Sequence, residues 1–401
     1  MEKPSISKLF LAVLLGHSLL YSCGDKDSDS PEPATVESSK DRMVDDGVAL
    51  SNSLEKLKDE PAVTALIHLS SLGDEEDGFA IAEFIDQSIT QKVANGDIVS
   101  TSRVLEEDVV DLDQEWNDNK GTYEYNSNTD DFDFTEGGNS IVIKFPSKEG
   151  ISNNSSITLS NYTSKTTSNA DVSNELEVLP KSINVSLSVD NIDVMSVTGS
   201  MSYDSEDLPN DVDASVTIGD FSLNADYSND GSNVKYELSF KEGENIILLN
   251  SASISGNISY SEFSDFDEEK GELSDFNLNS LTYTTQLINT KIELALDNGN
   301  KLLSEIEGLI EPSEDEIEKV LNDNISVTAV FADTNQKIAD VSLDIVTETY
   351  TETYGGYVYE YEERNIELIM TFDDGSKVAL EDFFDQQFNQ VITDLENLLE
   401  E

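Results

Sequence analysis

From Gly121 to Leu380 apolar and polar residues alternate with a period of two, a pattern that suits half-buried strands and little else. Ile183, Val185, Leu187 and Val189 interleave with Ser182, Asn184, Ser186 and Ser188, so one face of that segment is apolar and the other small and polar. The same texture returns in Met195, Val197, Met201 and Tyr203, in Phe221, Leu223, Ala225 and Tyr227, and in Val234, Tyr236, Leu238 and Phe240. Later sets are Ile325, Val327, Ala329 and Phe331, then Val341, Leu343 and Ile345, and finally Ile366, Leu368, Met370 and Phe372. Turn residues separate the sets: Asn229-Asp230-Gly231-Ser232, Asp333-Thr334-Asn335, Gly355-Gly356 and Asp373-Asp374-Gly375-Ser376. Connections of that length fit hairpins and are too short for parallel crossovers, so an antiparallel meander is expected.

Helical spacing appears before, within and after this region. Met43, Gly47, Leu50, Leu54 and Leu57 form one stripe, Val63, Leu66, Ile67 and Ser70 a second, Ile81, Phe84, Ile85, Ile89 and Val93 a third, and Leu105, Val109, Leu112 and Trp116 a fourth. Residues 301–322 carry Leu302, Leu303, Ile306, Leu309 and Ile310, break at Pro312, and restart at Ser313 with a capping box closed by Glu316. Phe384, Phe388, Val391, Leu395 and Leu398 make a last stripe. The predicted fold is α+β: N-terminal helices, then a long antiparallel β-meander, as a curved sheet or half-barrel, packed by one or two helices including the C-terminal one. The expected parts are a signal segment over 1–22, a disordered acidic tether over 23–40, a helical region over 41–118, the β region over 119–380 with its helical insertion near 300–322, and an amphipathic helix over 381–401.

The chain opens with Lys3 and Lys8, an apolar run from Leu9 to Leu20, and then Tyr21-Ser22-Cys23. Basic start, short apolar run and small residue together read as a secretory signal, too short for a permanent membrane helix. Cys23 is the one cysteine of 401 residues, so it has no partner within the chain for a disulfide. Leu20-Tyr21-Ser22-Cys23 resembles the lipobox of bacterial lipoproteins, which implies cleavage between Ser22 and Cys23, a diacylglycerol on the sulfur and an amide-linked acyl chain such as palmitate. The acids Asp25, Asp27 and Asp29 around Lys26 resemble the surface-export signal of Bacteroidota lipoproteins. The expectation is therefore an outer-membrane, lipid-anchored protein on the periplasmic or cell-surface face. Gly24 to Lys40 holds acids, serines and two prolines, a composition unable to bury a core.

Composition narrows the chemistry. With 23 basic and 83 acidic residues the net charge is −60, which excludes nucleic acid as a natural partner. The histidines are His17 and His68, too few for a multi-histidine zinc site. No Gly-x-Ser-x-Gly elbow is present, and among so many acids no carboxylate pair stands out, so no catalytic residue and no enzymatic role are expected. Asp25, Asp27 and Asp29 have the spacing of a calcium loop, but Ser30 and Val36 occupy the positions that need glycine and glutamate. No metal site and no cofactor are expected beyond loose divalent binding at Asp130 to Glu136 or Asp265 to Glu272.

Trp116 to Pro146 reads as a helix end and three short strands, with Tyr123, Tyr125, Phe132 and Phe134 as cross-strand aromatic pairs. Gly121-Thr122-Tyr123-Glu124-Tyr125, the acidic turn at Asp130, Asp131 and Asp133, and Ile141 to Pro146 resemble a segment of Bacteroidota lipoproteins, which implies compartment and anchoring but no activity. Two roles fit. In one, the polar sheet face is a non-catalytic structural or binding platform for a glycan or envelope protein, with Tyr350, Tyr354, Tyr357, Tyr359 and Tyr361 as the contact surface. In the other, the sheet carries a lipid or other amphiphile in an apolar hollow lined by Met370, Phe384 and Phe388.

Overall fold

A computed structural model describes residues 35–72, 112–168, 178–205, 207–257, 277–309, 312–354, 357–380 and 383, with backbone alone at Val36, Asn257, 348–354 and 357–364. Helices α1 (Val36–Lys58), α2 (Pro61–Ser70) and α3 (Leu112–Asp118) come first. Strands follow: β1 (Gly121–Asn126), β2 (Asp131–Glu136), β3 (Ile141–Phe145), β4 (Ser155–Thr166), β5 (Val178–Val189), β6 (Ile192–Tyr203), β7 (Pro209–Ile218) and β8 (Phe221–Asn229). Next are β9 (Asn233–Glu242), β10 (Asn245–Asn257), β11 (Asn277–Leu287) and β12 (Thr290–Leu296), then helices α4 (Gly299–Glu307) and α5 (Glu314–Asn324). The last strands are β13 (Ile325–Phe331), β14 (Gln336–Tyr354), β15 (Tyr357–Thr371) and β16 (Lys377–Ala379).

All sixteen strands belong to one open sheet, in the order β16-β15-β14-β13-β12-β11-β10-β9-β8-β7-β6-β5-β4-β3-β1-β2. From β3 onward the order is the order of the chain, the signature of a meander. The exception is at the start. β1 sits between β2 and β3 and pairs with β3 in parallel, Gly121 beside Ile141 and Tyr123 beside Ile143, so the expectation of antiparallel pairing throughout is corrected there. The β1–β2 hairpin places Tyr123 opposite Phe134 and Tyr125 opposite Phe132, with ring centroids 4.6 and 5.5 Å apart. The chain divides into two compact units, Glu55–Asp226 and Tyr227 onward together with residues up to Leu54.

In the first of these units the apolar face of the sheet carries Ile141, Ile143, Phe145, Ile157, Leu159, Ile183, Val185 and Leu187, covered by Ala62 and Ala65 of α2 and Trp116 of α3. Pro61 starts α2, where its missing N–H costs nothing. The buried stripe of α2 lies one step from the expected one: Ala62 and Ala65 face the sheet, while Ile67 is 54% exposed. Small alanines let the helix approach closely, and Leu66, from the expected stripe, packs half-buried against the same core together with Leu69.

In the second unit α1 begins at Val36, so residues 36–40, expected in the tether, are helical. The cause is Thr35, whose hydroxyl accepts from the Ser38 N–H at 3.2 Å and so caps the helix. Lys56 and Lys58 in its last turn suit the helix dipole. Within this unit α1 runs along the tips of successive hairpins. Ser53 donates to Glu242 at the end of β9, and Asp46 accepts from Asn289 (2.9 Å) and Thr290 (3.3 Å) at the β11–β12 turn. Arg42 pairs with Asp333 in the β13–β14 turn at 2.6 Å and stacks on Phe331 at 3.8 Å. Seven helical residues rise about 10.5 Å and two strand spacings span about 9.6 Å, so a polar residue at 46 and another at 53 each meet a hairpin tip. Met43, Leu50 and Leu54 fill the space between them.

Burial raises the Asp46 carboxyl above its ordinary value of 3.8, against hydrogen bonds from Asn289 and Thr290 and the charge of Arg42. A carboxyl with a raised folded pKa holds its proton longer when folded, so its contribution to stability falls as pH climbs from about 4 upward. Urea midpoints of the wild type and of Asp46→Asn, compared at about pH 4 and about pH 7, should show the wild type losing ground to the variant as pH rises. A gap that moves the other way contradicts the burial account.

The insertion after β12 splits as expected. Asn298 caps α4 by accepting from the Lys301 N–H at 3.0 Å, and Leu302, Leu303 and Ile306 are buried. Glu316 accepts from the Ser313 N–H at 3.0 Å, which completes the capping box of α5 and holds that carboxyl below its ordinary value. Close backbone approach fixes one glycine. A Cβ on Gly256 would lie 2.1 Å from the Asn277 carbonyl oxygen, beside the register shift between β10 and β11.

Candidate functional site

β14 and β15 pair without a shift from Asp340 opposite Thr371 to Tyr354 opposite Tyr357. Their neighbours are much shorter. β13 accompanies β14 only as far as Val341, and β16 accompanies β15 only from Ile369 to Thr371. Where β13 stops, side chains of α5 take over the free edge of β14. Asn322 donates to the Leu343 carbonyl at 2.7 Å and accepts from its N–H at 2.9 Å, and Glu318 accepts from the Ile345 N–H at 2.7 Å. The Thr347 hydroxyl donates to Glu314. Beyond Thr347, among the described residues, the two strands pair only with each other and form a ribbon of about 23 Å.

Register assigns the faces of this arm. Leu343 and Ile345 are buried, and Thr347 meets α5, so odd positions of β14 and their partners on β15 belong to the helix-covered side. The opposite face takes even positions of β14 and odd positions of β15: Asp344, Val346, Glu348, Tyr350, Glu352 and Tyr354 with Glu367, Asn365, Glu363, Tyr361, Tyr359 and Tyr357. All five tyrosines expected as a contact surface therefore occupy one face, Tyr350 directly opposite Tyr361 and Tyr354 directly opposite Tyr357. The reverse face continues with Thr349, Thr351, Thr353, Val358, Glu360 and Glu362.

Of the residues expected to line an apolar hollow, only one is among the described residues. Met370 is 1% exposed, opposite Val341, while Phe384 and Phe388 lie outside the described residues. Nearby in sequence, Phe372 and Phe383 are buried with rings 5.4 Å apart. Ser22, Cys23 and the acids of 265–272 also lie outside the described residues. Of the acids in the β1–β2 hairpin, Asp130 accepts from the Tyr125 hydroxyl at 2.5 Å and Asp133 from Asn126 at 2.9 Å, so both serve the turn itself. No grouping of three or more metal-ligating side chains occurs among the described residues.

One polar cluster carried no signal in the sequence. Asp207, its side chain fully buried and its φ at +66°, pairs with Lys165 at 2.6 Å and accepts from the Ser168 N–H at 2.5 Å and hydroxyl at 2.9 Å. Lys165 also donates to the Asp204 carbonyl at 3.2 Å and sits 5.8 Å from the Tyr203 ring. Tyr203, whose hydroxyl donates to the Pro180 carbonyl at 2.6 Å, has its phenol pushed far above the ordinary value by burial. The cluster fastens the end of β4 to the β6–β7 connection and is a structural clasp. Searches of known proteins add nothing to this geometry: no family model, no curated protein and no solved structure matches the chain.

Proposed function

We propose that this chain is a lipid-anchored protein of the outer membrane whose role is binding, not catalysis, and that the tyrosine and carboxylate face of the β14–β15 arm is its contact surface. The observation that supports the binding role is the register that gathers five tyrosines on one face of a ribbon flanked by no further strand among the described residues. Tyrosine offers a large amphipathic contact surface at low entropic cost. Anchoring rests on Cys23, at the end of a signal-like apolar run. Cells expressing the full chain and fed an alkyne fatty acid should incorporate it into the wild type, and Cys23→Ala should lose the label and leave the membrane fraction. An unlabelled wild-type chain in the soluble fraction overturns the anchoring.

One observation favours the carrier as a second reading. On β6 and β7 the apolar positions Val197, Met201, Val212 and Val216 share the face that bears the core of β5, yet they are only half-buried. A sheet curved over this face would hold an amphiphile there. Native mass spectrometry of residues 24–401 prepared without detergent should then show a co-purifying lipid, and a bare polypeptide mass after exposure to bacterial lipids removes the carrier.

A further inference from the structure

We propose that the arm takes a cationic, extended polypeptide segment as an added strand along β15, with alternate Lys or Arg side chains over the tyrosine and carboxylate face. The inference rests on the reading of this face as the contact surface and names its partner. Three features of the backbone register carry it.

The first is charge. Asp344, Glu348, Glu352, Glu363 and Glu367 share the face with the tyrosines, and two of the acid pairs, Asp344 with Glu367 and Glu348 with Glu363, stand directly opposite each other. Like charges directly across a strand pair cost stability, and no Lys or Arg between Asp340 and Thr371 shares this face to offset them. Arg364, the one basic residue from Asp340 to Thr371, lies opposite Thr347 on the reverse face. A cationic partner removes the repulsion that the free arm carries.

The second is period. Acid pair Glu348 and Glu363, tyrosine pair Tyr350 and Tyr361, Glu352 with Tyr359, and tyrosine pair Tyr354 and Tyr357 follow one another at intervals of two residues. That interval, about 6.8 Å, is also the spacing of same-face side chains in an added strand. Carboxylates and the electron-rich faces of tyrosine rings both attract ammonium and guanidinium groups. From Glu363 to Tyr357 a strand with a cation at every second position thus meets an attractive group at each, and one neutral step, Asn365 opposite Val346, separates this run from the pair of Asp344 and Glu367.

The third is the open ladder. Among the described residues β15 has β14 on one side and, before Ile369, no strand on the other, so its outward N–H and C=O groups from Tyr357 to Leu368 are paired with no described strand and form the ladder an incoming strand would use.

The test uses residues 24–401 and a short fluorescent peptide alternating Lys with Thr, with a Glu-for-Lys peptide as control. Saturable binding of the Lys peptide that weakens with salt is expected, and none of the control. Joint replacement Glu348→Gln, Glu352→Gln and Glu363→Gln should weaken it about tenfold or more, and Tyr359→Ser with Tyr361→Ser similarly, while Tyr359→Phe with Tyr361→Phe keeps the rings and the binding. Glu360→Gln with Glu362→Gln, on the reverse face, should leave it within about twofold, and circular dichroism of each variant checks the fold. Equal weakening by reverse-face and tyrosine-face variants means attraction to net charge alone and overturns the proposal. Binding of a neutral oligosaccharide that the Tyr→Ser variants abolish, with no binding of the Lys peptide, overturns the cationic partner and keeps the contact surface. Binding of neither ligand removes both.

Discussion

Lys165→Met is expected to lower the stability of the Glu55–Asp226 unit by about 3 kcal/mol, at the lower end of what breaking a buried ion pair costs. The Asp207 side chain is fully buried, so its charge cannot recover water when the ammonium at 2.6 Å is removed. The cost stays at the low end because the Ser168 N–H and hydroxyl still donate to the same carboxylate. Adding Asp207→Leu to Lys165→Met should restore more than half of the loss, since a methionine and leucine pair leaves no charge to solvate. Denaturant unfolding of wild type, both single variants and the double variant measures this. A double variant no better than Lys165→Met alone shows that the clasp acts through shape, with φ of +66° at Asp207 as the next suspect.

Phe331→Ala should cost the other unit about 3–5 kcal/mol, the usual range for removing a fully buried aromatic ring. Phe331 is 0% exposed, and its ring also supports the Arg42 guanidinium, which holds α1 to the β13–β14 turn through Asp333. The loss should therefore extend beyond a cavity. Hydrogen exchange in residues 36–44 of α1 is expected to speed up in Phe331→Ala far more than in residues 48–54, which keep the Ser53 contact to Glu242. Uniform acceleration along the helix shows instead that α1 detaches as one body.

How much of this was legible in the sequence depends on how local each signal is. The strand containing Ile183, Val185 and Leu187 and the capping box at Ser313 and Glu316 are set by neighbours within a few residues, and both are found where expected. The parallel pairing of β1 with β3 is not local, because nothing in either strand says which edge of the β1–β2 hairpin the next strand joins. Nothing within a few residues of Asp46 sets it apart from the other acids of α1. Its burial follows from the helix crossing hairpin tips, which only the assembled sheet reveals. The tyrosines of 350–361 were legible as a group, but their common face was not, since the pairing register decides it. A slip of one residue would place Tyr357, Tyr359 and Tyr361 on the side away from Tyr350 and Tyr354.

That register is the central claim, and paired cysteines test it directly in residues 24–401. Tyr350→Cys with Tyr361→Cys places the two cysteines directly opposite on one face, within disulfide reach, whereas Tyr350→Cys with Glu360→Cys places them on opposite faces. Mild oxidation is predicted to close the first pair nearly completely and leave the second reduced. Closure of the second pair in preference to the first would mean that the arm pairs one residue out of register, and would dismantle the tyrosine face.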